Sequence, residues 1–153
     1  MRRIGGFTLI ELVTCIVIMA VLAAITAPRF FNTQPFAERG YSNEIAGALR
    51  AARQIAVASA CEVQVTLNPA TGYQALQRAA LGNTCDSAGA WTTPVRLTDG
   101  RLLAGAPPSN ATVSSAATIV FGSQGQVVGG APPPVVVGAF SVTVDWFSGF
   151  VTP

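Results

Sequence analysis

Apolar residues dominate positions 7–27, FTLIELVTCIVIMAVLAAITA, interrupted only by Glu11 and scattered threonines. At about 1.5 Å per residue this run predicts a helix of roughly 31 Å, close to one bilayer hydrocarbon core. Pro28 follows at once and predicts a kink, since a proline inside a helix removes one hydrogen bond without necessarily ending it. Asn32-Thr33-Gln34-Pro35 is a second break, able to cap a new helix with Pro35 in its first turn and Glu38 near its positive end. Residues 36–60 are helical in period. Ile45, Leu49, Ala52 and Ala56 recur at i, i+4, i+7 and i+11 as one narrow apolar stripe. Arg50 and Arg53 fall on one flank of the stripe and Glu44 on the other, while Ala46, Gly47, Ala48 and Ala51 would admit close neighbours.

Beyond residue 60 the period changes to two. Residues 61–67 alternate as a half-buried strand, 68–72 read as a turn, and 73–78 return as a second strand. Residues 81–94 read as a loop carrying Cys85 and Trp91. Short strands are expected at 95–97 and 101–103, with a proline-bearing connection over 105–110. Residues 118–121 and 126–128 flank Gly122-Ser123-Gln124-Gly125 as a hairpin. The last strands are 135–137, 140–146 and 150–151, with a turn at Ser148-Gly149. One long helix followed by short strands predicts an α+β fold, with an antiparallel, two-sheet β domain packed on the helix.

Within the first run, Glu11 would cost on the order of 2.5–3.5 kcal/mol at the membrane centre, so it calls for a partner. Arg2 and Arg3 precede the run, which keeps the N-terminus cytoplasmic and sends the rest outward. A cleaved secretory signal is the simpler alternative, but the run is longer than its usual apolar core and lacks a good small-x-small cleavage site. A plain anchor explains the length and leaves Glu11 and Gly5-Gly6 unexplained.

The stretch Gly5-Gly6-Phe7-Thr8-Leu9-Ile10-Glu11-Leu12 resembles the prepilin N-terminal motif of type IV pilins and type II secretion pseudopilins. A short basic leader ends in glycine, phenylalanine follows, and glutamate stands fifth after the cut. The resemblance implies cleavage after Gly6 by the prepilin peptidase and N-methylation of Phe7. Glu11 would then be the charge used in assembly and Pro28 the family's helix kink. The chain divides accordingly into a leader (1–6), a transmembrane and assembly helix (7–27), the periplasmic half of that helix (28–60) and a periplasmic β domain (61–153).

Later residues resemble one branch of that superfamily, the H-type minor pseudopilins and the related FimT-like and MSHA-type minor pilins. Arg50-Ala-Ala-Arg53-Gln-Ile-Ala-Val57 looks like their helix end. Phe121-Gly-Ser-Gln-Gly125 looks like their hairpin, and Phe147-Ser-Gly-Phe-Val151 like their closing turn and strand. Unlike typical major pilins, the chain has no cysteine near its C-terminus, which argues against the main structural subunit. Cys15 falls in the apolar run, where a thiol behaves as a small apolar residue. Cys61 and Cys85 fall in the domain assigned to an oxidising periplasm, which favours a disulfide over two buried thiols. Such a bridge would stabilise the fold by roughly 3 kcal/mol in the chain-entropy model.

Charge adds little. The nine basic residues are all arginine against seven acids, and loss of Arg2 and Arg3 with the leader leaves seven against seven. The chain has no histidine and no lysine, which removes Ser-His-Asp and Cys-His sites, HExxH metal sites and lysine-dependent P-loops. No catalytic residue, metal site or cofactor is expected. Arg50, Arg53, Arg78, Arg96 and Arg101 are the remaining chemical candidates, as a stripe for DNA phosphates or as a scattered, solvated surface. Neutral net charge favours the second.

The expectation is a non-catalytic minor pilin or pseudopilin of a type IV pilus or type II secretion filament, acting in initiation or at the tip. A DNA-receptor subunit and a major pilin are the alternatives. Its partners would be other pilin or pseudopilin subunits, the prepilin peptidase and the inner-membrane assembly platform, with nucleic acid not expected. It would sit in the inner membrane as a single-pass protein with its C-terminal domain in the periplasm, then in the filament.

Overall fold

The computed structural model describes residues 8–30, 33–81, 84–85 and 88–153. Gly6 and Phe7, the expected cleavage and methylation positions, and the expected cap Asn32 lie outside these. Two compact units divide between Thr33 and Gln34.

The first unit is α1 (Leu9–Phe30), which runs on through Pro28. Its described apolar side chains point outward on every side, Leu9 at 82% and Met19 at 69% exposure among them. A helix without a polar face is suited to a protein core or a membrane and not to water. Among the described residues no helix is long and apolar enough to cross a membrane.

The second unit is built on α2 (Gln34–Ser59), with Pro35 in its first turn as expected. Ile45, Leu49, Ala52 and Ala56 are all buried, so the narrow stripe is the seat of the core. Tyr41, Ser42, Ala46 and Ala48 widen it. Two expectations need correction. Gly47 has no neighbour within the unit, because it stands on the helix face opposite the stripe. Glu38 serves less as a charge near the helix start than as a buried group, 6% exposed, receiving a 2.9 Å hydrogen bond from Gln34 Nε2. Just past the end of α2, Ala60 takes the left-handed conformation (φ 53°) common at that position.

Among the described residues eleven strands follow: β1 (Val63–Asn68), β2 (Gly72–Arg78), β3 (Ala80–Leu81), β4 (Thr84–Cys85), β5 (Trp91–Pro94), β6 (Ala104–Gly105), β7 (Ala117–Phe121), β8 (Val127–Val128), β9 (Val135–Val137), β10 (Phe140–Val144) and β11 (Val151–Thr152). The larger sheet has the order β5-β2-β1-β7-β8, with β6 also on β2, and the smaller has the order β11-β10-β9. All named pairs are antiparallel. β1 is the central strand. Val63, Val65 and Leu67 point to α2, and Val65 stands between Ala75 and Ile119 on its two neighbours. The smaller sheet adds Val135, Val137, Val142 and Val151 to the same core. α2 packs on strands of both sheets, so the two-sheet α+β expectation holds.

Some local expectations fail. Residues 81–94 are not all loop, because β5 pairs with β2 across a register shift at Gln77/Arg78. Its side chains are largely exposed, so no apolar alternation marks it. The expected strands at 95–97 and 101–103 reduce to one Arg96↔Leu102 bridge, and pairing with β2 resumes at β6, where a plain connection was expected. β10 stops at Val144, two residues early, because the next turn begins at Asp145.

Leu49 is fully buried between helix and sheets. Leu49→Ala in a fragment starting at Gln34 is expected to lose about 2–5 kcal/mol. Urea unfolding monitored by tryptophan fluorescence will measure it.

Candidate assembly surfaces

At the start of α1, Thr8 acts as the N-cap. Its Oγ1 accepts the Glu11 backbone N–H at 3.3 Å, and Leu12 N–H reaches the Thr8 carbonyl at 3.2 Å. Thr8-Leu-Ile-Glu11 is therefore spaced as a capping box, S/T-x-x-E. Reading Glu11 only as a buried charge misses this local role, although the spacing in the sequence carries it. The box places the Glu11 carboxylate in the first helical turn, where negative charge is favoured by the unsatisfied N–H groups.

Where α2 gives way to the sheet, Cys61 and Cys85 are bonded, with Cα atoms 5.5 Å apart. The bridge ties β4 to the helix exit. Arg78 reinforces it: Nε pairs with Glu62 at 2.6 Å, Nη1 donates to the Gly89 carbonyl at 2.8 Å, and the guanidinium lies 4.3 Å from the Trp91 ring centroid. Cys15, on α1, is exposed and unbridged.

The other flank of α2 brings three distant sequence stretches together. Arg50 Nη2 donates to the Val151 carbonyl at 3.1 Å, and Arg53 Nε to the Gly125 carbonyl at 3.1 Å. Gly149 (φ 66°) lies so close to Gly125 and Arg53 that a side chain there would strike the Gly125 oxygen. Val127 N–H donates to the Trp146 carbonyl at 2.9 Å, joining the hairpin to the closing turn. The helix end, hairpin and closing turn picked out in the sequence thus form one junction.

The five candidate arginines are divided among separate places. Arg50 and Arg53 serve this junction, and Arg78 serves the disulfide. Arg96 Nη1 holds the Gly100 carbonyl at 2.8 Å in the 95–103 excursion, which also carries the exposed Arg101. Arg50, Arg53, Arg78 and Arg96 therefore spend guanidinium donors on the chain itself.

On the Glu44 flank, Tyr73 donates its hydroxyl to Glu44 Oε1 at 2.9 Å, and its ring lies 6.4 Å from that of Tyr41. Burial, then the hydrogen bond to Glu44, then the charge of Glu44 push the Tyr73 phenol above its ordinary value of 10.0, with Arg101 opposing. Burial and Glu44 raise Tyr41 as well. Beside Tyr73 an open cleft of about 670 Å³ runs between the β1–β2 turn and β6, lined by groups such as Thr66, Asn68 and Gln74. Among the described residues, no three or more His, Cys, Asp or Glu side chains gather as a metal site.

At the closing turn, Trp146, Phe147 and Phe150 are 52%, 77% and 65% exposed. Asp145 Oδ1 accepts both the backbone N–H and the hydroxyl of Ser148 at 2.7 Å, which holds the Asp145 carboxyl below its ordinary value.

Comparison with known proteins is informative at both ends of the chain. Residues 42–148 match the family model described as type II transport protein GspH, and residues 1–27 match the prokaryotic N-terminal methylation motif. The type IV narrow pilus major component PilA5 of Thermus thermophilus is 41% identical over 75 residues. That alignment covers 46% of this chain and 64% of the relative, less than two thirds of its length. No solved structure matches.

Raised folded-state pKa values mean that the tyrosine contribution to stability is full below pH 10 and is lost as pH rises beyond it. The two tyrosines of the native chain are expected to show less tyrosinate absorbance at pH 10 than an unfolded chain, which is half ionised there. At the junction, Gly149→Ala is expected to cost about 1–3 kcal/mol by strain alone. Phe147→Ser, at an exposed site, should leave the urea midpoint nearly unchanged and serves as the control.

Proposed function

Because the chain belongs to the GspH family, within the type IV pilin and pseudopilin superfamily, we propose that it is a minor subunit of a type IV pilus or type II secretion filament. Members of these families are structural and non-enzymatic, and they assemble with other pilin or pseudopilin subunits. The observation that carries the reading is the presence in one chain of the methylation motif over 1–27 and the GspH domain over 42–148. The motif supports cleavage after Gly6, N-methylation of Phe7, and a membrane-anchored precursor with its β domain on the far side of the inner membrane. The Cys61–Cys85 bridge supports an oxidising compartment for that domain. The prepilin peptidase and an inner-membrane assembly platform are the partners this route requires.

Within the filament, initiation or the tip is the proposed place. The position of the disulfide, at the helix exit and not in a C-terminal loop, weighs against the main structural subunit. The major-pilin reading has an observation of its own in the 41% identity to a protein named as a narrow pilus major component. A DNA-receptor role gains no support from the arginines, since Arg50, Arg53, Arg78 and Arg96 bind carbonyl or carboxylate groups of the chain.

Glu11 is proposed to pair with the new N-terminal amine at Phe7, in its own chain or in a neighbour, as the subunit joins the filament. Glu11→Gln separates this from capping, because glutamine also fits the last position of a capping box. The variant is expected to be inserted and cut normally, yet to enter sheared filaments at least tenfold less well. Normal incorporation would remove the charge-pairing role, and an uncut wild-type leader would remove the pilin reading. Quantitative mass spectrometry of the same filaments places the subunit: a few copies per filament for a minor subunit, the bulk of the protein for a major one.

A further inference from the structure

Four large rings of the second unit stand in water. Phe36, near the start of α2, is 79% exposed, and Trp146, Phe147 and Phe150 on the closing turn are 52%, 77% and 65% exposed. None of the four belongs to the core. The display at the turn is rigid. Asp145 O accepts the Gly149 N–H at 2.7 Å, Asp145 N–H reaches Phe150 O at 2.8 Å, and Ser148 closes onto the Asp145 carboxylate. Trp146 and Phe147 meet edge to face, with ring centroids 6.0 Å apart.

The two sites share a side of α2. Phe36 and Arg50 are fourteen positions apart, just under four helical turns, and so project in nearly the same direction about 21 Å apart along the axis. Arg50 holds the carbonyl of Val151, next to Phe150, so the closing turn lies toward that side as well. The turn by itself offers roughly 300–500 Å² of exposed aromatic surface. That is well short of the about 800 Å² per partner of a stable protein interface. Phe36 stands too far off to enlarge the same patch.

A bilayer needs no matching pocket. It takes separate rings at separate points of one surface, and aromatic side chains suit the level where headgroups meet acyl chains. The sequence brings Phe36 within reach of one, nine positions after Ala27 at the end of the apolar run. We propose that, before assembly, the Phe36 side of α2 and the Trp146–Phe150 turn seat together on a lipid surface. Charge does not drive this contact. Exposed Arg39 and Glu44 stand on either side of Phe36 with opposite signs, and the Asp145 carboxylate is spent on Ser148. A zwitterionic surface is therefore enough. The inference rests on the membrane-anchored reading of the precursor, and not on a place at the tip or in the shaft.

Fluorescence quenching by lipid tests this. The full-length chain is reconstituted into phosphatidylcholine vesicles whose acyl chains carry bromine, which quenches indole emission on contact. The chain has two tryptophans, so Trp91→Phe leaves Trp146 as the reporter and Trp146→Phe leaves Trp91. Against unbrominated vesicles, Trp146 is expected to lose half or more of its emission. Trp91, which lies under Arg78, is expected to keep most of its own. High salt should change neither. Phe36→Ser, with Trp146 as reporter, gives a readout that a local role would not. From about 21 Å away along α2 it should cut the quenching of Trp146 by half or more, with the melting temperature at the parent level. Trp146 quenched no more than Trp91 overturns the contact, and an effect confined to the turn overturns the joint seat. Quenching that high salt abolishes replaces the apolar seat with adsorption by charge. A chain that alkaline carbonate strips from the vesicles contradicts the membrane anchor itself, a separate failure that takes this inference with it.

Discussion

Arg53 reaches from α2 to the carbonyl of Gly125, and against that same carbonyl lies Gly149 from the closing turn. The arrangement of the β domain depends on this contact. The two sheets share no continuous ladder, so something other than strand pairing must set their relation. A guanidinium offers several donors in a fixed plane, which suits it to holding carbonyls at a defined angle. Arg50 does the same one turn earlier for Val151. The apolar stripe supplies the larger share of the stability, since burial scales with area, but burial alone is not directional. The arginines give the two sheets their positions on the helix.

The opposite flank works through smaller groups. Tyr73 bonds Glu44 over Gly105, where a side chain would strike the tyrosine ring and the carboxylate. At the exit of α2, the disulfide and Arg78 bind the excursion between β2 and β5 back to the helix. Such an excursion has little apolar surface of its own to bury, so a covalent tie and a charged pair take the place of a core. α2 thereby becomes the spine of the unit, touched along its length by groups from both sheets.

Much of this was legible in the chain itself. The change of period at residue 61 marks the helix-to-sheet transition, because side chains repeat every 3.6 residues on a helix and every two on a strand. β1, β2, β7 and β9 lie close to where alternation and turn residues put them. The buried stripe is the one read from spacing, and the N-terminal motif declares a family without any fold behind it. A signature of that kind is local, a few residues at a helix start, so sequence alone can carry it.

What the chain could not declare depends on partners distant in sequence. β5 is a strand because β2 has an open edge beside it, and its own exposed Trp-Thr-Thr-Pro carries no apolar alternation. Glu38 is buried because Gly138 leaves room for its carboxylate, a fact visible only when residues far apart in the chain meet. The arginines followed the same rule. In the sequence they were candidates for phosphate or for water, and tertiary structure turned Arg50 and Arg53 inward to backbone carbonyls. Composition fixes how many guanidinium donors a chain has. Only the folded geometry decides which carbonyls come within 3.1 Å of them.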